Sequence, residues 1–226
     1  MRLPVTPAST LWRELRDEAR RAYPRGRVLI AVDGEDGAGK TRFADNLAQV
    51  FREDGTAVYC ASIDGFHRPR TERYARGRTS PEGFYRDSYD YATFRRVLID
   101  PFRSGAGTGA GFQLAAFDVA RDETVEASWE TAPRDAVLIV DGIFLHRPEL
   151  RDLWHWSLWL DTPLDVRYER MAARDGTDPD PSAASNRRYR EGQEIYLRES
   201  RPRTAAAAIV DNTDPAAPVR VYEDFC

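Results

Sequence analysis

Apolar residues recur along this chain in two alternating patterns. Residues 28–32, 57–62, 136–140, 157–160 and 207–210 are short, nearly continuous apolar runs, several of them rich in β-branched side chains. Runs of this length without polar alternation read as strands buried on both faces. Between them, apolar positions return every three or four residues, the period of a helix that buries one side. Residues 41–52 place Phe43, Leu47, Val50 and Phe51 on one such side. Near the start, Ser9 or Thr10 is placed to cap an amphipathic helix that runs to about Ala22 with Leu11, Leu15 and Ala19 facing inward. Strand and helix in alternation predict an α/β fold: a doubly wound parallel sheet of about five strands flanked by helices, with chemistry at the carboxyl ends of the strands. Residues 65–88 and 103–113, rich in Gly, Arg, Ser and Pro, read as loops, and the Gly-Ala alternation over 105–111 reads as a flexible connection.

The first strand leads into Gly34-Glu35-Asp36-Gly37-Ala38-Gly39-Lys40-Thr41 and then into the predicted helix. Strand, glycine loop, helix is the setting of a phosphate-binding P-loop. The glycines permit backbone conformations that turn successive N–H groups inward, and the helix adds its positive end to the same anion site. Of the thirty-three basic residues only Lys40 is a lysine, the rest being arginine. A bias towards arginine has therefore been overruled at one position, where a compact ammonium on a flexible stem suits the β- and γ-phosphates better than a planar guanidinium. Thr41 follows as the hydroxyl expected on Mg²⁺.

Composition narrows the class further. At 226 residues and 42% hydrophobic content, the chain is long enough for one well-packed domain. A net charge of −4 argues against a general binder of nucleic acid or membrane surfaces. No run approaches about 18 consecutive apolar residues, and no signal peptide is visible in an N-terminus interrupted by Pro4 and Pro7. Cys60 in an apolar run and Cys226 at the end do not make a disulfide framework, so a cytoplasmic location is expected.

Two carboxylates follow apolar strands. The run Val137-Leu138-Ile139-Val140-Asp141-Gly142 places Asp141 where a P-loop enzyme holds magnesium, directly or through water. In Ser62-Ile63-Asp64-Gly65-Phe66-His67, Asp64 is placed either to accept the proton of an attacking hydroxyl or to close an Asx-turn.

Together these segments resemble the uridine kinase and phosphoribulokinase-like group of P-loop kinases, uridine kinase most of all. The resemblance runs over about residues 27–213. It is carried by Gly34 to Thr41, the Asp64-Gly65-Phe66-His67 block, Tyr89-Asp90, Phe117-Asp118, Asp141-Gly142, Asp161-Thr162, the series Arg167, Arg170, Arg174-Asp175, and Ala208-Ile209-Val210-Asp211-Asn212. It implies a single P-loop kinase domain over 1–226, with an N-terminal helix in 1–24, an acceptor-binding insertion at about 65–120 and a lid at about 167–200. It further implies transfer of the γ-phosphate of ATP or GTP, with Mg²⁺, to a hydroxyl of a nucleoside such as uridine or cytidine. By position, Asp64 becomes the catalytic base, and Lys40 with the amides of residues 34–41 the phosphate clamp. Thr41 and Asp141 become the metal residues, and His67, Tyr89, Asp90 and Phe117 acceptor contacts. Arg170 and Arg174 fall three and seven residues after Arg167 and share a predicted helix face. They become lid groups over the transferring phosphate, a solvated helix face being the alternative.

The departures concern the acceptor. His67 stands where uridine kinases usually have Tyr, Phe117 replaces a Tyr, and a histidine usual beyond it is missing from Ala120 to Asp122; Asp141 replaces a Glu. Residues 68–86 carry Arg68, Arg70, Arg73, Arg76, Arg78 and Arg86 among Tyr74, Phe84 and Tyr85. They form either a clamp for an anionic acceptor, as in a phosphoribulokinase- or pantothenate kinase-like enzyme, or a solvated loop. A P-loop ATPase that is not a kinase is a further alternative, whereas a regulatory GTPase lacks the second lysine of its guanine motif. His146 and His155 have no neighbouring ligands in sequence, so a metal role is not expected, and Trp154, Trp156 and Trp159 read as packing. The expected partners are a nucleotide and a small hydroxyl acceptor, with no nucleic acid and no membrane, and homo-oligomerisation is left open.

Overall fold

A computed structural model describes residues 2–104 and 111–222. Most of the Gly-Ala segment, residues 105–110, and Cys226 lie outside the described residues. The first helix, α1 (Pro7–Ala22), starts ahead of the expected caps Ser9 and Thr10. Thr6 caps it instead. Its Oγ1 accepts from the Ser9 amide at 3.1 Å, and Ser9 Oγ accepts from the Thr6 amide at 2.9 Å. Pro7 begins the helix, where a missing N–H costs nothing, and that position pulls the start forward.

The five predicted strands form, with small changes at their ends. They are β1 (Val28–Gly34), β2 (Val58–Ser62), β3 (Val137–Gly142), β4 (Trp156–Asp161) and β5 (Ala208–Asp211). A sixth, β6 (Val219–Val221), pairs antiparallel with β5 at the edge, and the sheet order is β2-β3-β1-β4-β5-β6. All other neighbours are parallel. The chain leaves β1 to one side and β3 to the other, so a cleft opens between their carboxyl ends, where doubly wound sheets bind ligands.

Successive β1 residues face opposite layers. Ile30 and Val32 pack with Leu15, Leu47 and Phe51 beneath α1 and α2 (Lys40–Arg52). Leu29 and Ala31 pack with Phe94, Phe102 and Phe144 on the other face. Each fully buried aliphatic or Phe side chain contributes roughly 1.5–3 kcal/mol. Trp156 and Trp159 belong to these cores, and half-buried Trp154 donates its Nε1–H to Leu145 O at 2.7 Å.

Residues 65–88 are not simply a loop. They contain a helical turn at Arg70–Arg73 and helix α3 (Pro81–Asp87), whose N-cap Ser80 accepts from the Gly83 amide at 3.0 Å. A helical run over 91–104 follows, here α4, and residues 103–104 of the second expected loop end it. After β4 come α5 (Leu164–Asp175) and α6 (Arg187–Ser200). Among the described residues no helix is long and apolar enough to cross a membrane, and Cys60 is a free thiol.

His146, distant in sequence from any partner, sits in a buried polar network. Its Nδ1 lies 2.7 Å from Asp33 Oδ2, its Nε2 lies 2.9 Å from Ser157 Oγ, and its amide donates to Asp33. The Tyr196 hydroxyl of α6 donates to the same Asp33 oxygen. Burial and then the Asp33 charge push that phenol well up, so it remains a donor. The carboxylate thus ties the end of β1 to α6, with its charge met by hydrogen bonds rather than by water. His155, pushed down by burial, accepts the Leu29 amide at 2.9 Å.

Candidate active site

The loop after β1 has the conformation its glycines predicted. Gly37 and Gly39 have φ of +77° and +90°. A Cβ on Gly37 would lie 2.5 Å from Arg167 O, because α5 packs directly on the loop. Gly39 precedes α2 and offers no side-chain cap, leaving first-turn amides for an anion. Two side chains brace the loop from outside. Arg167 pairs with Glu35 at 3.1 Å and donates to Thr162 O, and Asn212 Nδ2 donates to Ala38 O at 2.7 Å. Burial pushes the Glu35 carboxyl up against the pull of Arg167. Lys40 Nζ donates to Glu35 O at 2.9 Å, within the loop it serves. Gly37→Ala is expected to lose about 1–2 kcal/mol from the left-handed φ alone and more from the clash. Denaturant unfolding and titration with an ATP analogue would show both losses, and wild-type values in both would remove the packing argument.

Lys40, Thr41, Asp64 and Asp141 all line one cavity of about 760 Å³. Thr41 Oγ1 donates to Asp141 Oδ2 at 2.7 Å. Burial pushes the Asp141 carboxyl up, with Thr41 and then Lys40 opposing. These paired hard oxygens fit Mg²⁺, which takes one or two protein ligands and completes its octahedron with phosphates and water. Among the described residues no cluster of three His, Cys, Asp or Glu side chains suits a metal held by protein alone.

Asp64 sits in a short 3₁₀ turn after β2, its amide bonded to Ser62 Oγ at 3.3 Å. Its carboxylate is open to the cavity and accepts the Tyr89 hydroxyl at 2.9 Å. His67 donates from Nδ1 to Ser88 O at 2.9 Å, and its Nε2 lies 3.5 Å from Asp64 Oδ1, where it pairs with the carboxylate when the ring carries its second proton. The His67 and Tyr89 rings stack, with centroids 4.5 Å apart. Burial raises the Asp64 carboxyl, but His67 and then Tyr89 outweigh it, leaving the group below its ordinary value and ionised as a proton acceptor. His67→Phe keeps a ring on Tyr89 and removes the imidazole. It is expected to move the acid limb of the pH–rate profile to higher pH, and an unmoved limb would show that His67 does not hold Asp64 ionised.

No family model matches the chain. Over 149 residues it is 28% identical to uridine kinase of Chlamydia pneumoniae, a match that covers 66% of this chain and 64% of that protein. Against uridine kinase of Clostridium perfringens it is 24% identical over 149 residues, 66% of this chain and 68% of the relative. The solved structure of a fructose transport system kinase assignment from Silicibacter sp. TM1040 superposes with a TM-score of 0.63 at 25% identity, covering 85% of this chain and 95% of that one. The chain is similar to the uridine kinase-like P-loop kinases. A possible uridine kinase from Bacillus stearothermophilus shares the fold, with a TM-score of 0.64 at 22% identity over 87% of this chain and 98% of that one.

The remaining expected residues divide. Tyr89 and His67 join Asp64 in the cavity, while Asp90 and Phe117 do not line it. Asp90 caps α4 by accepting from the Thr93 amide at 3.0 Å, and Phe117 is buried in a two-stranded pairing with Thr124. The three arginines of α5 also part. Arg174 lines the cavity, chelated by Asp175 at 2.6 to 2.9 Å. Arg170 instead donates to Asn212 O and Thr213 O, both at 2.9 Å, beside a smaller hollow lined by Trp12, Phe43 and Asn212. Most arginines of 68–86 are occupied: Arg76 by Asp87, Arg86 by Glu82 and Glu199, Arg68 by Tyr89 O. Arg73 lines the cavity from this segment. Beside it stand Tyr74, and Arg188 and Tyr189 of α6, the last two unmarked by any motif.

Proposed function

We propose that the chain transfers the γ-phosphate of ATP or GTP, with Mg²⁺, to a hydroxyl of a small ribose-bearing acceptor, in the manner of the uridine kinases it resembles. The observation that carries this is the opening of Lys40, Thr41, Asp141 and an ionised Asp64 into one cavity. Asp64 could activate water as readily as an alcohol; what favours an alcohol acceptor is the room beside it, a cavity of about 760 Å³ walled by Tyr74, Phe84 and Tyr189.

Lys40 and the loop amides hold the phosphates, drawing charge off the transferring group. Thr41 and Asp141 would hold Mg²⁺, which would supply positive charge to offset that of the phosphates. Asp64 accepts the proton of the attacking hydroxyl, oriented by Tyr89 and His67. Arg174 is placed to turn from Asp175 towards the phosphates as the segment between α5 and α6 closes, excluding water. The aromatic wall of Tyr74, Phe84 and Tyr189 suits the flat face of a nucleobase, and the names of the relatives favour uridine. A sugar acceptor is the second reading, favoured by the Silicibacter protein's assignment and by the absence of Asp90 from the cavity wall. ADP release measured across nucleosides, sugars and sugar phosphates, with product phosphate traced by mass spectrometry, tests the proposal. Nucleotide hydrolysis that no acceptor accelerates would reject it.

A further inference from the structure

Arg188 is only 7% exposed, yet it reaches the cavity wall. Backbone carbonyls fix its guanidinium: Nη1 donates to Arg78 O at 2.8 Å and Gly77 O at 3.2 Å, and Nη2 lies 3.4 Å from Arg73 O. The ring of Tyr74 lies 4.9 Å from it and that of Phe84 5.8 Å. Among the described residues no carboxylate reaches it within ion-pair distance, and no protein atom accepts its Nε–H. Asp87 acts on it only from further off and is engaged by Arg76 at 2.8 Å. Its neighbours differ: Arg73 has Asp122 at 2.9 Å, and Arg86 has Glu82 and Glu199.

A buried cation without a counter-ion is unusual, because desolvation penalises it and carbonyl dipoles compensate in part. Burial pushes its pKa down, but a guanidinium stays charged in proteins. The carbonyls engage Nη1 and Nη2 and leave Nε–H unmatched on a residue that lines the cavity, and a guanidinium grips an oxyanion in a two-point contact through Nε and one Nη.

Resting on the phosphoryl-transfer reading above, we propose that the acceptor carries an anionic group, a phosphate or a carboxylate, and that Arg188 holds it with Arg73 alongside. The charge that the fold leaves open is then supplied by the substrate, and a neutral analogue leaves it buried and uncompensated.

Binding of matched acceptor pairs in the presence of a non-hydrolysable ATP analogue tests this without turnover. The pairs are ribose and ribose 5-phosphate, fructose and fructose 1-phosphate, glycerol and glycerate, uridine and uridine monophosphate. The charged member of at least one pair is expected to bind about 10- to 100-fold tighter, the effect of one or two charge-assisted hydrogen bonds. Glycerate against the phosphates separates a carboxylate from a phosphate preference. Arg188→Gln is expected to abolish the preference and Arg188→Lys to keep part of it, with ligand-free melting confirming that both fold. The proposal is overturned if no charged member binds more tightly than its partner, or if the preference survives in Arg188→Gln. Arg188-dependent binding without transfer by the wild-type protein would instead reject the kinase reading. Transfer to uridine with no role for Arg188 would reject only the anionic acceptor.

Discussion

Replacing Asp64 with Asn is expected to lower phosphoryl transfer by about 10³-fold, within the range typical of a lost general base, while nucleotide affinity stays within about twofold. The amide is isosteric, and its oxygen still accepts the Tyr89 hydroxyl that the carboxylate accepts at 2.9 Å. What disappears is the proton acceptor. Asp64 belongs to the turn after β2 and not to the glycine loop, so nucleotide affinity is expected to survive the loss of its charge. Steady-state rates of acceptor-dependent ADP release, paired with titration of an ATP analogue, separate the two effects. Transfer at the wild-type rate would remove Asp64 from the chemistry, and a parallel loss of nucleotide affinity would make it structural.

Lys40→Arg is expected to cost about 10²- to 10³-fold in turnover, comparable with losing one well-placed donor to transition-state charge. Charge is conserved in this change, so the loss measures shape. Lys40 Nζ hydrogen-bonds to Glu35 O at 2.9 Å in the confined turn of the loop, where a forked guanidinium is larger and differently directed. Rates at saturating acceptor, with the ATP-analogue affinity of the same variant, check it. Unchanged turnover would mean that any cation suffices there, and the solitary lysine of an otherwise arginine-only chain would lose its explanation.

The sheet was legible because its strands are buried on both faces and therefore write continuous apolar runs; each predicted run lies within one or two residues of the strand found. The phosphate loop was legible because its glycines and lysine act locally. Helix α3 was missed although Ser80-Pro81 carries a cap followed by a proline at the first helical position, a signal hidden by the arginines around it. The Asp33 network had no local signal, since its partners His146 and Tyr196 lie 113 and 163 residues away in sequence. Arg188 was unreadable for a related reason: among so many arginines, what marks it is the acid that the fold does not place beside it. Equally, spacing put Arg170 and Arg174 on one helix face, and only the carbonyls of Asn212 and Thr213 distinguish them.

Helix α6 touches three parts of the molecule along its length. Arg188 in its first turn lines the cavity, Gln193 donates to Asp36 of the phosphate loop at 3.2 Å, and Tyr196 is fastened to Asp33 at the end of β1. A single helix therefore runs from the phosphate loop to the cavity wall where the acceptor is proposed to bind. On the reading proposed above, exchanging side chains on its first turn is expected to alter acceptor choice and leave the phosphate loop untouched, so that a few substitutions would diversify the acceptors of a lineage built on this scaffold.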